Sequence, residues 1–103
     1  MKLGKESVKK ILKNFDAARI MVIGDLILDE FIWGKAERIS PEAPVPVVWA
    51  QSQSHMPGGA SNVAHNIASL GAKVFLLGVI GDDKNGQTLV EKLRQKNVDC
   101  DGI

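Results

Sequence analysis

The sequence predicts an α/β fold, in which a parallel sheet is flanked by helices and a small second sheet projects from it. Three observations predict it. Short apolar, β-branched runs alternate with amphipathic helix patterns, which is how strands covered by helices read. That alternation breaks between Ile27 and Gln53, where two strand-like segments flank a proline-rich loop. The composition is that of an ordinary folded chain, with 45% hydrophobic and 24% charged residues in 103 positions, enough for one domain and its core.

Each element has a local reason. Val8, Ile11, Leu12 and Phe15 recur at i, i+3, i+4 and i+7 behind a candidate Ser7 cap, with lysines opposite, which is an amphipathic helix. Arg19 to Gly24 is a short apolar run ending in glycine and reads as a strand buried on both faces. Leu28 to Trp33 reads as a second strand. Arg38 to Pro46 holds three prolines within six residues and reads as a shaped loop or edge, because proline is nearly excluded from ladders and helix interiors. Val45 to Gln53 returns to strand character, and a polar tail to His55 leads into Pro57-Gly58-Gly59, read as a glycine turn. The helix that follows places Val63, Ala64, Ile67 and Leu70 on one buried face and stops at Gly71 in a left-handed cap. Lys73 to Ile80 is a buried strand. Asp82 or Asp83 caps a third helix with Leu89, Val90 and Leu93 inward, ending near Asn97, and Val98 to Ile103 begins another element.

Charge and cysteine content exclude several classes. Thirteen Lys and Arg against twelve Asp and Glu give a formal charge of +1, so no global field draws the chain to nucleic acid or acidic membranes. The lone Cys100 forms no internal disulfide and has no zinc-ligand spacing around it, so no metal site is expected and a reducing cytoplasm is the default compartment. The charged start has no apolar core of a signal peptide, and Val74 to Ile80 is far short of a membrane span. Isolated His55 and His65 read as local hydrogen-bonding residues, and Trp33 and Trp49 as packing anchors of the small sheet.

Three segments are candidates for chemistry. Gly81 to Thr88 has the glycine spacing of a phosphate-binding loop after a strand, but Gln87 stands where that loop needs its lysine, and Asp82 and Asp83 would oppose a triphosphate. A capped strand-to-helix turn is favoured there. Gly58-Gly59-Ala60-Ser61-Asn62 opens a helix, where free backbone N–H groups and missing side chains suit a polar ligand or a plain turn equally, and Asn62 adds an amide that donates and accepts. Asp25 and Asp29 follow the end of a buried strand, where ligands of open α/β sheets bind, although capping or turn chemistry would also use them.

Together these pieces resemble the amino-terminal part of the ribokinase-like (PfkB) carbohydrate kinases. Gly58-Gly59, Asn62, Ala64, Gly71 and Gly81 fall at the intervals of that family's first signature. Arg38-Ile39-Ser40-Pro41-Glu42-Ala43-Pro44-Val45-Pro46-Val47-Val48, after Gly24-Asp25-Leu26-Ile27-Leu28-Asp29, is similar to the D-glycero-β-D-manno-heptose-7-phosphate kinases. The resemblance covers nearly the whole chain. It implies a partial Rossmann-like sheet and a β lid over about residues 28–54, within an amino-terminal fragment, residues 1–103, of a single kinase domain. Such kinases pass the γ-phosphoryl of ATP, with Mg²⁺, to the anomeric hydroxyl of heptose 7-phosphate, on the way to the ADP-heptose of lipopolysaccharide.

By that resemblance Asp29 contacts sugar hydroxyls, Gly58 and Gly59 form the wall beside the sugar, and Asn62 adds a contact. Asp25 is a further sugar-site candidate, and Arg38 is a candidate for the 7-phosphate because a guanidinium forks onto phosphate oxygens. The family's anion hole and catalytic aspartate have no counterpart here, so no catalytic residue, ATP site or metal site is expected in the chain, which alone should be inactive. A homodimer through the lid is expected. The competing readings are a non-catalytic self-association module, a fragment of another PfkB sugar kinase, and a nucleotide-binding protein using Gly81 to Thr88.

Overall fold

The computed structural model describes residues 2–103, apart from the side chain of Glu37. In chain order the elements are α1 (Lys5–Lys13), a 3₁₀ turn (Asn14–Ala17), β1 (Arg19–Ile23), β2 (Leu26–Ile39), β3 (Pro46–Gly59), α2 (Ala60–Ser69), β4 (Lys73–Leu77), α3 (Lys84–Gln95) and β5 (Val98–Gly102). β1, β4 and β5 form a three-stranded sheet in that order. Both pairings are parallel, with Arg19 opposite Lys73 and Val74 opposite Val98. β2 and β3 form a separate antiparallel ribbon of 14 residues a strand, in register from Leu26–Gly59 at its root to Ile39–Pro46 at its tip. The expected α/β sheet with a projecting β element is therefore present.

The core is small and lies between the sheet and two helices. Ala64, Val74, Leu76, Leu89, Leu93, Val98 and Cys100 are buried, with Leu26, Leu28, Ala60, Ile67 and Val90 packed partly against them. α3 starts at Asp83, whose Oδ1 accepts the Gly86 N–H at 2.8 Å, the side-chain cap expected of an aspartate there. α2 ends through Leu70 into Gly71 at φ 99°, a left-handed position suited to glycine.

Several sequence expectations are corrected. α1 begins at Lys5 with Gly4 at its cap position, not Ser7, and its apolar residues Val8, Ile11 and Leu12 are exposed. β1 is not buried on both faces: it is an edge strand on which Ile20, Met21 and Ile23 are exposed and only Val22 is half-buried. The inward stripe of α2 is Ala60, Ser61, Ala64, Ile67 and Ala68, while Val63 and Leu70 face outward. The physical reason is close approach: a Cβ on Gly24 would lie 3.0 Å from the Ala60 Cβ, so the helix can pack on the strand ends only through small side chains. β4 stops at Leu77, short of Ile80.

The ribbon departs most from expectation. β2 and β3 are far longer than the segments read from Leu28 to Trp33 and from Val45 to Gln53, and Pro57-Gly58-Gly59 finishes β3 rather than making a separate turn. Pro57 is tolerated because a two-stranded ribbon consists only of edge strands. Trp33 and Trp49 are 61% and 74% exposed, so they do not anchor the packing of this chain.

Candidate functional site

Two strand ends and the ribbon root meet at one place. Gly24 follows β1 and Gly78 follows β4, at the carboxyl ends of neighbouring parallel strands, where open α/β sheets present their ligand crevice. A crevice of about 560 Å³ lies there, lined by Ile23, Gly24, Asp25, Leu26, Gly78 and Val79. The glycines are required by crowding. A Cβ on Gly78 would come 2.6 Å from the Leu26 Cγ and 2.9 Å from the Gly24 carbonyl oxygen.

β3 passes into α2 with no intervening residue, and Gly59 makes that possible. It adopts φ 57° and ψ −134°, a conformation costly for any residue with a Cβ. A Cβ on it would also lie 2.6 Å from the Asp25 carbonyl oxygen. That oxygen accepts the Ala60 N–H at 2.9 Å, so Asp25 fixes the strand-to-helix junction through its backbone while its side chain is exposed beside the crevice. Gly58, fully in the ladder opposite Ile27, is buried. The Asp29 carboxylate lies directly against its α-carbon, and a Cβ on Gly58 would be 2.7 Å from the Asp29 Cγ. Asp29 is diagonal to Gly58 across the ribbon, on the face it shares with Ile27, Phe31 and Trp33.

The structure thus brings Asp29 together with Gly58, and Asp25 together with Gly59. Asn62 is exposed in the first turn of α2, directly after this junction. Arg38 is elsewhere in a single chain. It pairs with Val47 near the ribbon tip, nine residues beyond Asp29, which at strand rise is about 30 Å. There it lines a cavity of about 520 Å³ with Lys35, Val47, Val48, Trp49 and Ala50. Gly78 and Val79 were not singled out from sequence, although a second glycine directly after an apolar strand run was the available signal.

The Gly81 to Thr88 loop does not fit a triphosphate. Asp83 is folded into it as the α3 cap and occupies the Gly86 N–H, and a Cβ on Gly86 would collide with the Gly81 carbonyl. A phosphate loop keeps such N–H groups free for the ligand. Among the described residues no three His, Cys, Asp or Glu side chains converge as a metal site, and no helix is long and apolar enough to cross a membrane.

The pfkB family of carbohydrate kinases matches residues 17–103. This chain belongs to that family. It is 55% identical over 85 residues to the bifunctional protein HldE of Helicobacter pylori (strain ATCC 700392 / 26695), an alignment covering 82% of this chain and 18% of that protein. It is 48% identical over 101 residues to the bifunctional protein HldE of Pelobacter propionicus, covering 98% of this chain and 21% of the relative. The chain therefore spans about a fifth of the length of these relatives. Among solved structures, an uncharacterized sugar kinase from Pyrococcus horikoshii in complex with ATP superposes with a TM-score of 0.56 at 29% identity, covering 81% of this chain and 25% of that one. A putative ribokinase from Agrobacterium tumefaciens superposes with a TM-score of 0.66 at 23% identity, over 82% of this chain and 27% of its own, and shares the fold.

Proposed function

We propose that this pfkB chain is the sugar-binding and lid portion of an ATP-dependent kinase that phosphorylates the anomeric hydroxyl of D-glycero-β-D-manno-heptose 7-phosphate, in the route to ADP-heptose and lipopolysaccharide. The observation that carries the reading is the Asp29 carboxylate seated against Gly58 at the ribbon root. A carboxylate accepts hydrogen bonds from neighbouring hydroxyls, and glycines leave room for a sugar ring to approach the backbone. Gly59 and the Asn62 amide complete the sugar side, with Asp25 beside them. The heptose assignment is supported by the identity with the HldE proteins and by the Arg38 to Val48 segment.

ATP and Mg²⁺ belong in this reading to the rest of the kinase domain, in the cytoplasm. The chain alone is inactive, because phosphoryl transfer depends on positioning and charge stabilisation around both substrates. The exposed Trp33 and Trp49 favour a lid that pairs with a second copy. Arg38 can then serve the 7-phosphate only from the ribbon of that second copy, so Arg38→Ala should weaken heptose 7-phosphate more than heptose, and equal losses for the two sugars would remove the role.

Calorimetric titration of the chain tests the reading, with heptose 7-phosphate in one series and Mg·ATP in another. Sugar binding that disappears in Asp29→Ala, with no heat from Mg·ATP, is the expected result. Binding of Mg·ATP without the sugar would overturn the assignment of this half of the domain.

A further inference from the structure

One cavity away from the sugar crevice has a chemistry of its own. A cleft of about 330 Å³ opens where the lower part of β3 meets α2 and α3, and His55, Met56, Pro57, His65, Lys92, Gln95 and Lys96 line it. Strand alternation turns His55 and Pro57 away from the sugar side. His55 stands opposite Glu30, one step along from the Asp29–Met56 pair, so it projects from the ribbon face that does not carry Asp29. That is the face on which Leu26 and Leu28 pack against the core. Lys92, Gln95 and Lys96 follow i, i+3, i+4 spacing at the end of α3 and so share one side of the helix. His65 is half-buried on α2.

The lining is a donor set. Two ammonium groups, two imidazoles and a carboxamide surround a space within the range of small-molecule sites, with Pro57 as an apolar wall. Two features oppose a bound anion. The Glu30 Oε1 lies 3.8 Å from the His55 Nε2, and the carbonyl end of α3 carries the negative pole of its helix dipole. Lys92 and Lys96 outweigh that partial charge at the same helix end, and an incoming anion competes with Glu30 for a single imidazole.

We propose that this cleft is a second ligand site, taking a phosphomonoester or free phosphate dianion, separate from the sugar crevice. The lysines supply charge-assisted hydrogen bonds to the phosphate oxygens, and the imidazole and amide N–H groups fix its orientation. The test follows the imidazole C–H resonances of His55 and His65 by NMR. Inorganic phosphate is added in one arm and glycerol 3-phosphate in the other, at constant pH and ionic strength. Both imidazoles should shift saturably, with affinity reduced about tenfold or more in a Lys92→Gln/Lys96→Gln variant whose far-UV dichroism is unchanged. Asp29→Asn should bind as the parent does, which separates this site from the sugar crevice. Tighter binding of glycerol 3-phosphate assigns the site to organic phosphates, and tighter binding of inorganic phosphate assigns it to the free ion. Shifts equalled by sodium chloride, or unaltered in the double-lysine variant, would overturn the proposal.

Discussion

At Gly58 a single hydrogen decides where the Asp29 carboxylate rests. The Cβ of an alanine there would lie 2.7 Å from the Asp29 Cγ, too close for the side chain to remain. Gly58→Ala should therefore swing Asp29 away and abolish sugar binding. Its cost in stability should be about 1–3 kcal/mol, as for other overpacked sites. Most of that cost should vanish in an Asp29→Ala background, since the obstructing group is then gone. A double-mutant cycle by urea denaturation checks the coupling, and additive losses would show that the backbone, not Asp29, resists the methyl group. Cys100 carries a second prediction. Burial raises its thiol above the ordinary value of 9.0, the Arg94 charge works against this, and Asp99 and Asp101 add smaller upward pushes. The folded chain then holds its proton at a pH where the unfolded chain has lost it. This contribution is fully present below pH 9.0 and is lost as pH rises through the higher folded value. Urea midpoints should fall above pH 9 in the parent and fall less steeply in Cys100→Ala. Parallel alkaline slopes in the two chains would exclude the thiol as the cause.

Among the elements, α3 shows how a local signal becomes a defined boundary. A cap at Asp82 or Asp83 was legible because an aspartate after an apolar run and before Leu89 and Leu93 meets a local geometric need, and the Gly86 N–H selects Asp83. Asp83→Ala should cost about 1 kcal/mol by thermal or urea unfolding. Asp82→Ala should cost much less, and equal losses would mean that the cap is shared. Strand and helix identity in the parallel layer was legible for the same reason, since periodicity is carried by near neighbours in sequence. Burial was not, because it depends on which element lies alongside: β1 reads as a buried strand but is at an edge, and the apolar stripe of α1 faces outward. The length of the ribbon was hidden too. From Gln51 to Ser54 its strand is polar and exposed, as a strand with no core to face is free to be, and only from His55 onward does it approach the body of the chain. At the site, Gly58, Gly59 and Asn62 stand out in the sequence by their spacing and Asp29 by its place after a strand, whereas the distance to Arg38 follows only from a register that continues to the ribbon tip.

At the scale of the whole molecule, shape carries the remaining argument. The radius of gyration is 19.0 Å, against about 13 Å for a compact chain of this length, and the longest extent is 60 Å. The excess comes from the ribbon, which contacts the core only at its root. Both of its edges are open, and open edges beside exposed aromatic residues are the surface on which another chain pairs. Phe31 and Trp33 stack at 6.4 Å between ring centroids, and the Trp33 indole N–H reaches the Ser54 hydroxyl at 3.4 Å, so the aromatic patch is held in place before any partner arrives. A patch ordered in advance loses less entropy on association. Sedimentation equilibrium should therefore find a concentration-dependent dimer, weakened about tenfold or more in Trp33→Ser/Trp49→Ser, equivalent to about 1.4 kcal/mol. Asp29→Ala, at the root and away from the tryptophan at position 49, should dimerise as the parent does. A parent chain that stays monomeric over the whole concentration range would remove the lid-pairing reading and, with it, any route by which Arg38 could reach a sugar bound at Asp29.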